Sequence, residues 1–242
     1  DVTELVRPGE ENLLAVYLGD GWYRGRIGID KPPESGDKVF GSDYLCALML
    51  YRPDSGQVLL QSDEAFFASS SGCLENSIYD GELRDYTAVG KENIPCRIAA
   101  HDYRIVPFFG AHIREYEVRT PTLYRSPRGE QILDFGQNMV GFVRFTATLP
   151  RGTRVTVRHS EILQDGCFYR DNLRTARAEA VYISDGCTRS YEPFFTYFGF
   201  RYALIEGMDE VDPAAFCGVV ITSDLPTTCC CCTDSPKINR LI

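Results

Sequence analysis

Tryptophan, methionine, histidine and long apolar runs, which enzymes and membrane proteins commonly use, are scarce in this sequence. Its 242 residues include one Trp, three Met and three His, and the histidines, at positions 101, 112 and 159, form no closely spaced pair. No apolar run approaches the roughly 18–20 residues that cross a membrane. Lys and Arg number 25 against 34 Asp and Glu, a formal charge of −9. This balance argues against a nucleic-acid-binding protein, which normally presents a basic face.

Long stretches without helix breakers are also scarce. Gly occurs 21 times and Pro 13 times. Gly and Pro both interrupt helices. Their frequency therefore leaves no room in this chain for an all-helical catalytic barrel. What is present instead is a series of short apolar or alternating runs, with turn signals about every ten residues. This pattern predicts an all-β sandwich or barrel.

The strand pattern is clearest in the second half of the chain. Strict alternation predicts three strands. One face of the strand at 141–149 holds Val143, Phe145, Ala147 and Leu149, the strand at 153–159 turns Val155 and Val157 inward, and one side of the strand at 198–206 holds Phe198, Phe200, Tyr202 and Leu204. Earlier, the apolar runs 13–18 and 46–51 predict strands, and the turn at 52–56 predicts a hairpin with 57–61. The stretch 168–181, without Gly or Pro after Phe168, is predicted to be a short helix or a long loop.

The ten cysteines, at 46, 73, 96, 167, 187, 217 and 229–232, are too sparse for a disulfide scaffold. Apolar neighbours around the scattered six predict buried free thiols, which slightly favours a cytosolic setting. The run Cys229–Cys232 contains C-x-x-C. A zinc site needs a second Cys or His pair, and none is present, so no metal site is predicted.

Sequence motifs for catalysis are missing. The chain has no nucleophile elbow, P-loop, zinc-protease or dinucleotide-binding pattern. Its 34 acidic residues permit many carboxylate pairs but mark none, so no catalytic residue is assigned. The segment Tyr79-Asp80-Gly81-Glu82 offers two acids beside an aromatic ring. We interpret it as a solvated turn rather than an acid/base pair.

Two aromatic clusters stand out. Residues 20–26 hold the only tryptophan, Trp22, between an acid and two arginines. This cluster fits either a sugar-stacking platform or a core tryptophan whose neighbours Arg24 and Arg26 pair with acids, and the second is favoured because large aromatics are mostly buried. Residues 194–202 form a dense aromatic run. Strand alternation would bury half of it, and the other half would need a covering partner domain.

Eight segments of the sequence resemble, in order along the chain, the bacterial α-L-rhamnosidases of glycoside hydrolase family 78. The resemblance is carried by DVTELVRPG at 1–9, LGDGWYRGR at 18–26, SIYDGE at 77–82, LDFGQNMVGFV at 133–143, HSEIL at 159–163, NLRTA at 172–176, YEPFFTYFGFRY at 191–202 and TDSPKINRL at 233–241. It implies two antiparallel β-sandwiches of jelly-roll or concanavalin-like type. The implied boundaries are an N-terminal sandwich at 1–88 lacking its first strands, a connector at 89–112, a concanavalin-like sandwich at 113–222, and a linker at 223–242.

The resemblance also implies a function. The family's catalytic acid and base lie in a helical (α/α)6 barrel that follows these β-domains, so this chain would be a non-catalytic piece supporting that domain in an inverting glycosidase that releases terminal α-L-rhamnose. In agreement with a barrel whose first helix begins here, Ser235 as N-cap and Pro236 at the first helical position predict the start of a helix.

Two alternatives stay open. The chain could be a carbohydrate-binding module, since related N-terminal modules bind rhamnose with calcium; Asp20, Trp22, Asp80 and Glu82 would then be the sugar contacts. It could also be an interaction sandwich with no role in sugar binding, which only the resemblance disfavours.

Overall fold

The computed structural model describes residues 2–25, 41–99 and 110–240. Within these ranges most of the regular secondary structure is strand, and the single-turn α-helix α1 lies at Gly21–Arg24 beside three short 3-10 turns. The strands are β1 Met49–Tyr51, β2 Val58–Gln61, β3 Phe67–Ala68, β4 Cys73–Ser77, β5 Gly81–Asp85, β6 Ile94–Pro95, β7 Ile113–Arg119, β8 Thr122–Arg125, β9 Gln131–Thr148, β10 Arg154–Ser160, β11 Leu163–Gln164, β12 Cys167–Phe168, β13 Glu179–Ile183, β14 Thr188–Tyr191, β15 Phe198–Glu206 and β16 Phe216–Ser223.

Ten of these strands form one curled sheet in the order β4-β5-β13-β10-β15-β9-β16-β7, with β8 and β14 also pairing with β9. The strand β9 is 18 residues long and pairs with four other strands along its length, so it connects a large part of the sheet. All pairs in the sheet are antiparallel except β5 with β13, which is parallel. The all-β fold class predicted above is confirmed.

In the described ranges an aromatic-rich core lies against the concave face of this curled sheet. Phe145 stacks on Tyr191 and on Phe216 with ring centroids 4.8 Å apart in each case. Val155 and Val157 are fully buried, as their alternation predicts. Within β9, Val143 and Phe145 are buried and Ala147 packs against the core, so this strand also follows the predicted face.

The face predicted for β15 is correct at Phe198, Phe200 and Leu204, which are buried, but not at Tyr202, which is only half-buried. The register with β9 breaks between Phe200 and Tyr202, where β9 advances from Met139 to Asp134. Beyond this irregularity Ala203 and Ile205 join Phe200 in the core cluster.

The first half of the chain departs further from the sequence pattern. The run 13–18 forms neither helix nor strand, and Leu13 is 94% exposed. The hairpin is confirmed, since β1 and β2 pair antiparallel. The ambiguous stretch 168–181 begins with the end of β12, makes a single 3-10 turn at Asp171–Leu173 and then runs as a loop into β13. The predicted C-terminal helix is a 3-10 turn at Ile238–Arg240, and the two residues after it lie outside the described ranges.

All ten cysteines are free, and their burial differs from the prediction. Cys167 is buried, whereas Cys46, Cys96 and Cys187 are exposed. Those three lie in connecting segments outside the main sheet, so apolar sequence neighbours do not bury them. In the described ranges, no helix has the length and apolar character to cross a membrane.

Candidate functional site

Three of the segments that stand out in the sequence meet at one place, which we call the aromatic junction: residues 17–24, 76–84 and 193–197. The backbone N–H of Asp20 donates to Asn76 Oδ1 at 2.5 Å. The ring of Tyr17 lies 5.5 Å from that of Phe194. Gly19 packs so closely on Phe195 that an added Cβ would lie 2.4 Å from its ring. The junction therefore joins the N-terminal region to the loop before β15.

Glu82 lies at the centre of the junction. It is 3% exposed and sits on β5 under the loop at 193–197. One carboxylate oxygen accepts the backbone N–H groups of Phe194 and Phe195, each at 2.9 Å. The other oxygen accepts from the Arg84 guanidinium at 2.9 Å. One oxygen thus holds the loop, and the other pairs with Arg84 of the same strand.

Asp20 is engaged in a similar way. Its carboxylate accepts from Arg24 at 2.6 Å and from the Tyr44 hydroxyl at 2.8 Å. The Arg24 guanidinium also lies 3.7 Å from the centre of the Tyr44 ring. Burial, together with the neighbouring Asp20 carboxylate, raises the pKa of Tyr44. The expected pairing of Arg24 with an acid is confirmed, while Arg26 lies outside the described residues.

Trp22 is not a core residue. It is 45% exposed, and α1 buries none of its residues. The expectation of a buried tryptophan is wrong because the segment forms a single turn on the surface, and a turn this short has no full apolar face to bury. Its indole is available to a ligand or a neighbouring domain.

The Tyr79-Asp80-Gly81-Glu82 segment is not a solvated turn, since Asp80 is 7% and Glu82 3% exposed. Gly81 explains the burial. It has φ +113°, and an added Cβ would lie 1.8 Å from the Glu179 carbonyl oxygen. Only glycine allows this approach, which lets β5 pair with β13 and buries the acids on either side.

A small polar cleft of about 70 Å³ opens beside these residues. Its charged lining consists of Glu75, Asp80, Glu82, Arg154, Arg177 and Glu179. Arg177 pairs with Glu75 at 3.0 Å across it. The cleft mixes acids with arginines, so it is not a purely anionic or cationic pocket.

The residues of the junction do not fit a calcium ion. The carboxylates of Asp20 and Glu82 each accept from an arginine, and a cation would have to displace those guanidinium groups. Across 2–25, 41–99 and 110–240, no three His, Cys, Asp or Glu side chains are grouped so as to hold a metal ion.

The structure brings Asp20, one of the four predicted sugar contacts, to Asn76. It buries Asp80 and Glu82, which flank Gly81, and leaves Trp22 exposed at the surface. The sugar-binding role itself stays a prediction. Sequence reasoning missed Tyr17 and Asn76. The position of Tyr17, one residue before the LGDG motif at 18–21, was the available signal for the first; nothing in the sequence marks Asn76.

A curled and mostly antiparallel sheet around an aromatic-rich core defines a protein of the β-sandwich class. Residues 1–94 match the alpha-L-rhamnosidase N-terminal domain, and residues 124–222 match the bacterial alpha-L-rhamnosidase concanavalin-like domain. The chain therefore belongs to the bacterial α-L-rhamnosidase family.

Individual relatives agree with this assignment. An alpha-L-rhamnosidase of Streptomyces avermitilis is 32% identical, over 100% of this chain and 25% of its own length. One from Alteromonas sp. is 28% identical, over 100% of this chain and 28% of its own. The chain thus spans about a quarter of the length of these curated relatives.

Solved structures show the same relation. The Streptomyces avermitilis alpha-L-rhamnosidase complexed with L-rhamnose is similar with a TM-score of 0.76 and 30% identity, over 93% of this chain and 23% of that one. The native enzyme from Aspergillus terreus gives a TM-score of 0.72 and 29% identity, over 86% and 26%.

Proposed function

We propose that this chain is the non-catalytic β-sandwich region of an α-L-rhamnosidase, and that it supports a helical (α/α)6 catalytic domain. The whole protein would release terminal α-L-rhamnose from glycosides with inversion. One observation carries the proposal: relatives named alpha-L-rhamnosidase align with the full chain, yet the chain spans only a quarter of their length. Its partners would be that catalytic domain and, through it, carbohydrate.

The junction supports a structural role. Hydrolysis by a glycosidase needs one carboxyl group with a raised pKa and a second carboxylate, held on either side of a scissile bond. Glu82 and Asp20 instead hold a loop and a turn in place. The exposed rings of Phe194 and Tyr197, 59% and 40% exposed, are the part of the aromatic run that would pack on another domain.

The reading frame that encodes this chain tests the proposal. We expect it to continue past Ile242 into a helical domain of several hundred residues that contains a pair of acidic catalytic residues. A complete frame lacking any such domain would contradict the proposal.

We propose carbohydrate binding at the junction as a second function, supported by the exposed indole of Trp22. An exposed aromatic ring offers a face on which a sugar can stack, and Asp20, Asp80 and Glu82 are the predicted polar contacts. Calorimetric titration of L-rhamnose should then give heat that Trp22→Ala removes and that Tyr51→Ala, an exposed aromatic on β1, retains. Added calcium should leave the heat unchanged, because Asp20 and Glu82 are paired with arginines. No heat at millimolar rhamnose would exclude this function.

A further inference from the structure

Aspartate followed by glycine occurs four times in this sequence, at residues 20–21, 80–81, 165–166 and 185–186. An Asp-Gly pair has a chemistry of its own. The main-chain nitrogen of the glycine attacks the aspartate side-chain carboxyl, because a residue without a Cβ leaves that approach open. The product is a five-membered succinimide ring. In a folded protein the rate of this reaction depends on how firmly the carboxyl group and the nitrogen are held.

The first two pairs are held by their surroundings. The Asp20 carboxylate accepts from Arg24 at 2.6 Å and from the Tyr44 hydroxyl at 2.8 Å. Asp80 is only 7% exposed, and Gly81 belongs to β5, which lies between β4 and β13 in the sheet. Neither carboxyl group is therefore free to turn toward the glycine that follows it.

The pair at 185–186 is held at both reacting groups. The Asp185 carboxylate accepts from the Arg189 guanidinium at 3.0 Å and from the backbone N–H of Cys187 at 3.1 Å. The backbone N–H of Gly186 donates to the Ser184 hydroxyl at 3.1 Å. Both the attacked group and the attacking nitrogen are thus engaged elsewhere.

The pair Asp165-Gly166 is different. It forms the turn between β11 and β12, and both residues have a positive φ, +51° and +70°. A type I′ turn requires this conformation, which is why Asp-Gly suits the position. Asp165 is exposed. None of the hydrogen bonds and ion pairs among the described residues involves its carboxylate or the N–H of Gly166.

Little structure holds this turn closed. Strands β11 and β12 are two residues long, and within the described ranges they pair only with each other. A two-stranded hairpin is marginally stable at best, so its local opening costs little free energy. At the tip, the Tyr124 hydroxyl donates to the Gly166 carbonyl oxygen at 3.0 Å. Opening of the turn brings the Gly166 nitrogen within reach of the Asp165 carboxyl carbon.

We propose that Asp165 is a site of spontaneous isomerisation, at which aspartate converts to isoaspartate in the folded protein. The Gly166 nitrogen bonds to Cγ of the protonated Asp165 carboxyl, and its proton leaves with the carboxyl hydroxyl group as water. Water then opens the succinimide ring. Cleavage at Cγ restores aspartate, whereas cleavage at the original main-chain carbonyl carbon leaves the chain running through Cγ. The net change consumes no other reagent.

The isomer alters the hairpin. It places the Cβ of residue 165 in the main chain, and the added atom is incompatible with the two-residue type I′ turn. The hydrogen bond between Tyr124 and Gly166 then loses its geometry, which loosens the contact of β8 with the β11–β12 hairpin.

Incubation of the folded 242-residue chain in neutral buffer, below its melting temperature, tests the site. Peptide mapping with electron-transfer fragmentation then distinguishes isoaspartate from aspartate at each position. We expect isoaspartate to accumulate at Asp165 at least about tenfold faster than at any of the other three Asp-Gly pairs. The chain unfolded in urea, in which no pair is held, should react at all four positions at similar rates.

Two variants check the chemistry. Asp165→Glu should abolish the product, because glutamate would have to close a larger, six-membered ring. Asp165→Asn should accelerate it, because a neutral carboxamide is attacked more readily than an ionised carboxylate and closes the same ring with loss of ammonia. Circular dichroism of both variants confirms that the sandwich is folded. Equal rates at the four pairs of the folded chain, or no isoaspartate at Asp165 where the unfolded chain forms it, would overturn the proposal.

Discussion

At the scale of single residues, Glu82 holds the aromatic junction together. Its buried carboxylate satisfies two backbone N–H groups and the Arg84 guanidinium at once. Removing one partner from a buried charged network leaves the other charges unpaired, which costs far more than the loss of an exposed pair.

We therefore expect Glu82→Gln to lower the free energy of unfolding by about 3 kcal/mol, as measured by urea denaturation. Glutamine keeps the size of the side chain but turns an NH2 group toward donors. The control is Glu10→Gln, which removes the exposed contact between Glu10 and Arg7 at 3.6 Å and should change nothing measurable. Equal effects of the two substitutions would contradict the role assigned to Glu82.

His159 gives a second prediction at this scale. It is 1% exposed on β10, its ring stacks 3.9 Å from that of Phe198, and Nδ1 lies 3.0 Å from the Ala178 carbonyl oxygen. Burial, with a further effect from the charge of Arg170, lowers the pKa of His159 from 6.5 to about 3. The unfolded chain therefore binds a proton below pH 6.5 that the folded chain refuses.

Stability should accordingly fall as the pH drops from 6.5 toward 3, by up to about 1.4 kcal/mol per pH unit. His159→Phe should flatten that slope. Between pH 6.5 and 4.5 the effect is separate from Asp134, whose pKa the Arg201 guanidinium lowers from 3.8, because that acid loses its contribution only in more acid solution. Urea midpoints at five pH values measure the slope, and an unchanged slope in the variant would contradict the assignment.

At the scale of elements, two glycines in the neighbouring strands β9 and β15 have different surroundings. Gly141 of β9 and Gly199 of β15 both lie in strands and both lack a positive φ. A Cβ on Gly141 would lie 1.8 Å from the Val219 carbonyl oxygen of β16, whereas the nearest atom to one on Gly199 is Glu161 Oε1 at 3.7 Å.

Gly141→Ala should therefore push β9 away from β16 and destabilise the fold by about 2 kcal/mol or more. Gly199→Ala should be neutral or slightly stabilising, because alanine loses less conformational entropy on folding than glycine. Thermal melts of the two variants give the comparison. A larger fall in melting temperature for Gly199→Ala than for Gly141→Ala would contradict the close packing of β9 on β16.

The strands also show which structural features the sequence pattern predicts and which it misses. Alternation correctly places Val143, Phe145, Val155 and Val157 inside, because a strand with one buried face imposes a period of two. It fails at Tyr202, Ala203 and Ile205 of β15, beyond the break in register with β9, since such an irregularity leaves no mark in the pattern. The burial of Asp80 and Glu82 was also missed, because it depends on the contact of Gly81 with β13, about 100 residues away in the chain.

At the scale of the whole molecule, the parallel pairing of β5 with β13 joins the N-terminal region to the sandwich sheet. The junction adds the contacts of Tyr17, Asp20 and Glu82 to the same connection. The boundaries at 88 and 113 stay predictions drawn from the sequence, and the shared sheet predicts that the regions on either side of them do not unfold independently.

We expect the 242-residue chain to unfold in one calorimetric transition. A shortened chain of residues 110–242 should melt at a lower temperature and self-associate, because it exposes the free edge of β13. Two well-separated transitions in the whole chain, or an unchanged melting temperature in the shortened one, would contradict a shared sheet.

We propose that these residues support catalysis without performing it. Hydrolysis of an aryl α-L-rhamnoside should therefore be compared between the folded 242-residue chain and the product of its complete reading frame. We expect rhamnose release by the longer protein and none by this chain. Release by the 242-residue chain, or its absence from a folded longer protein, would rule out a purely supporting role.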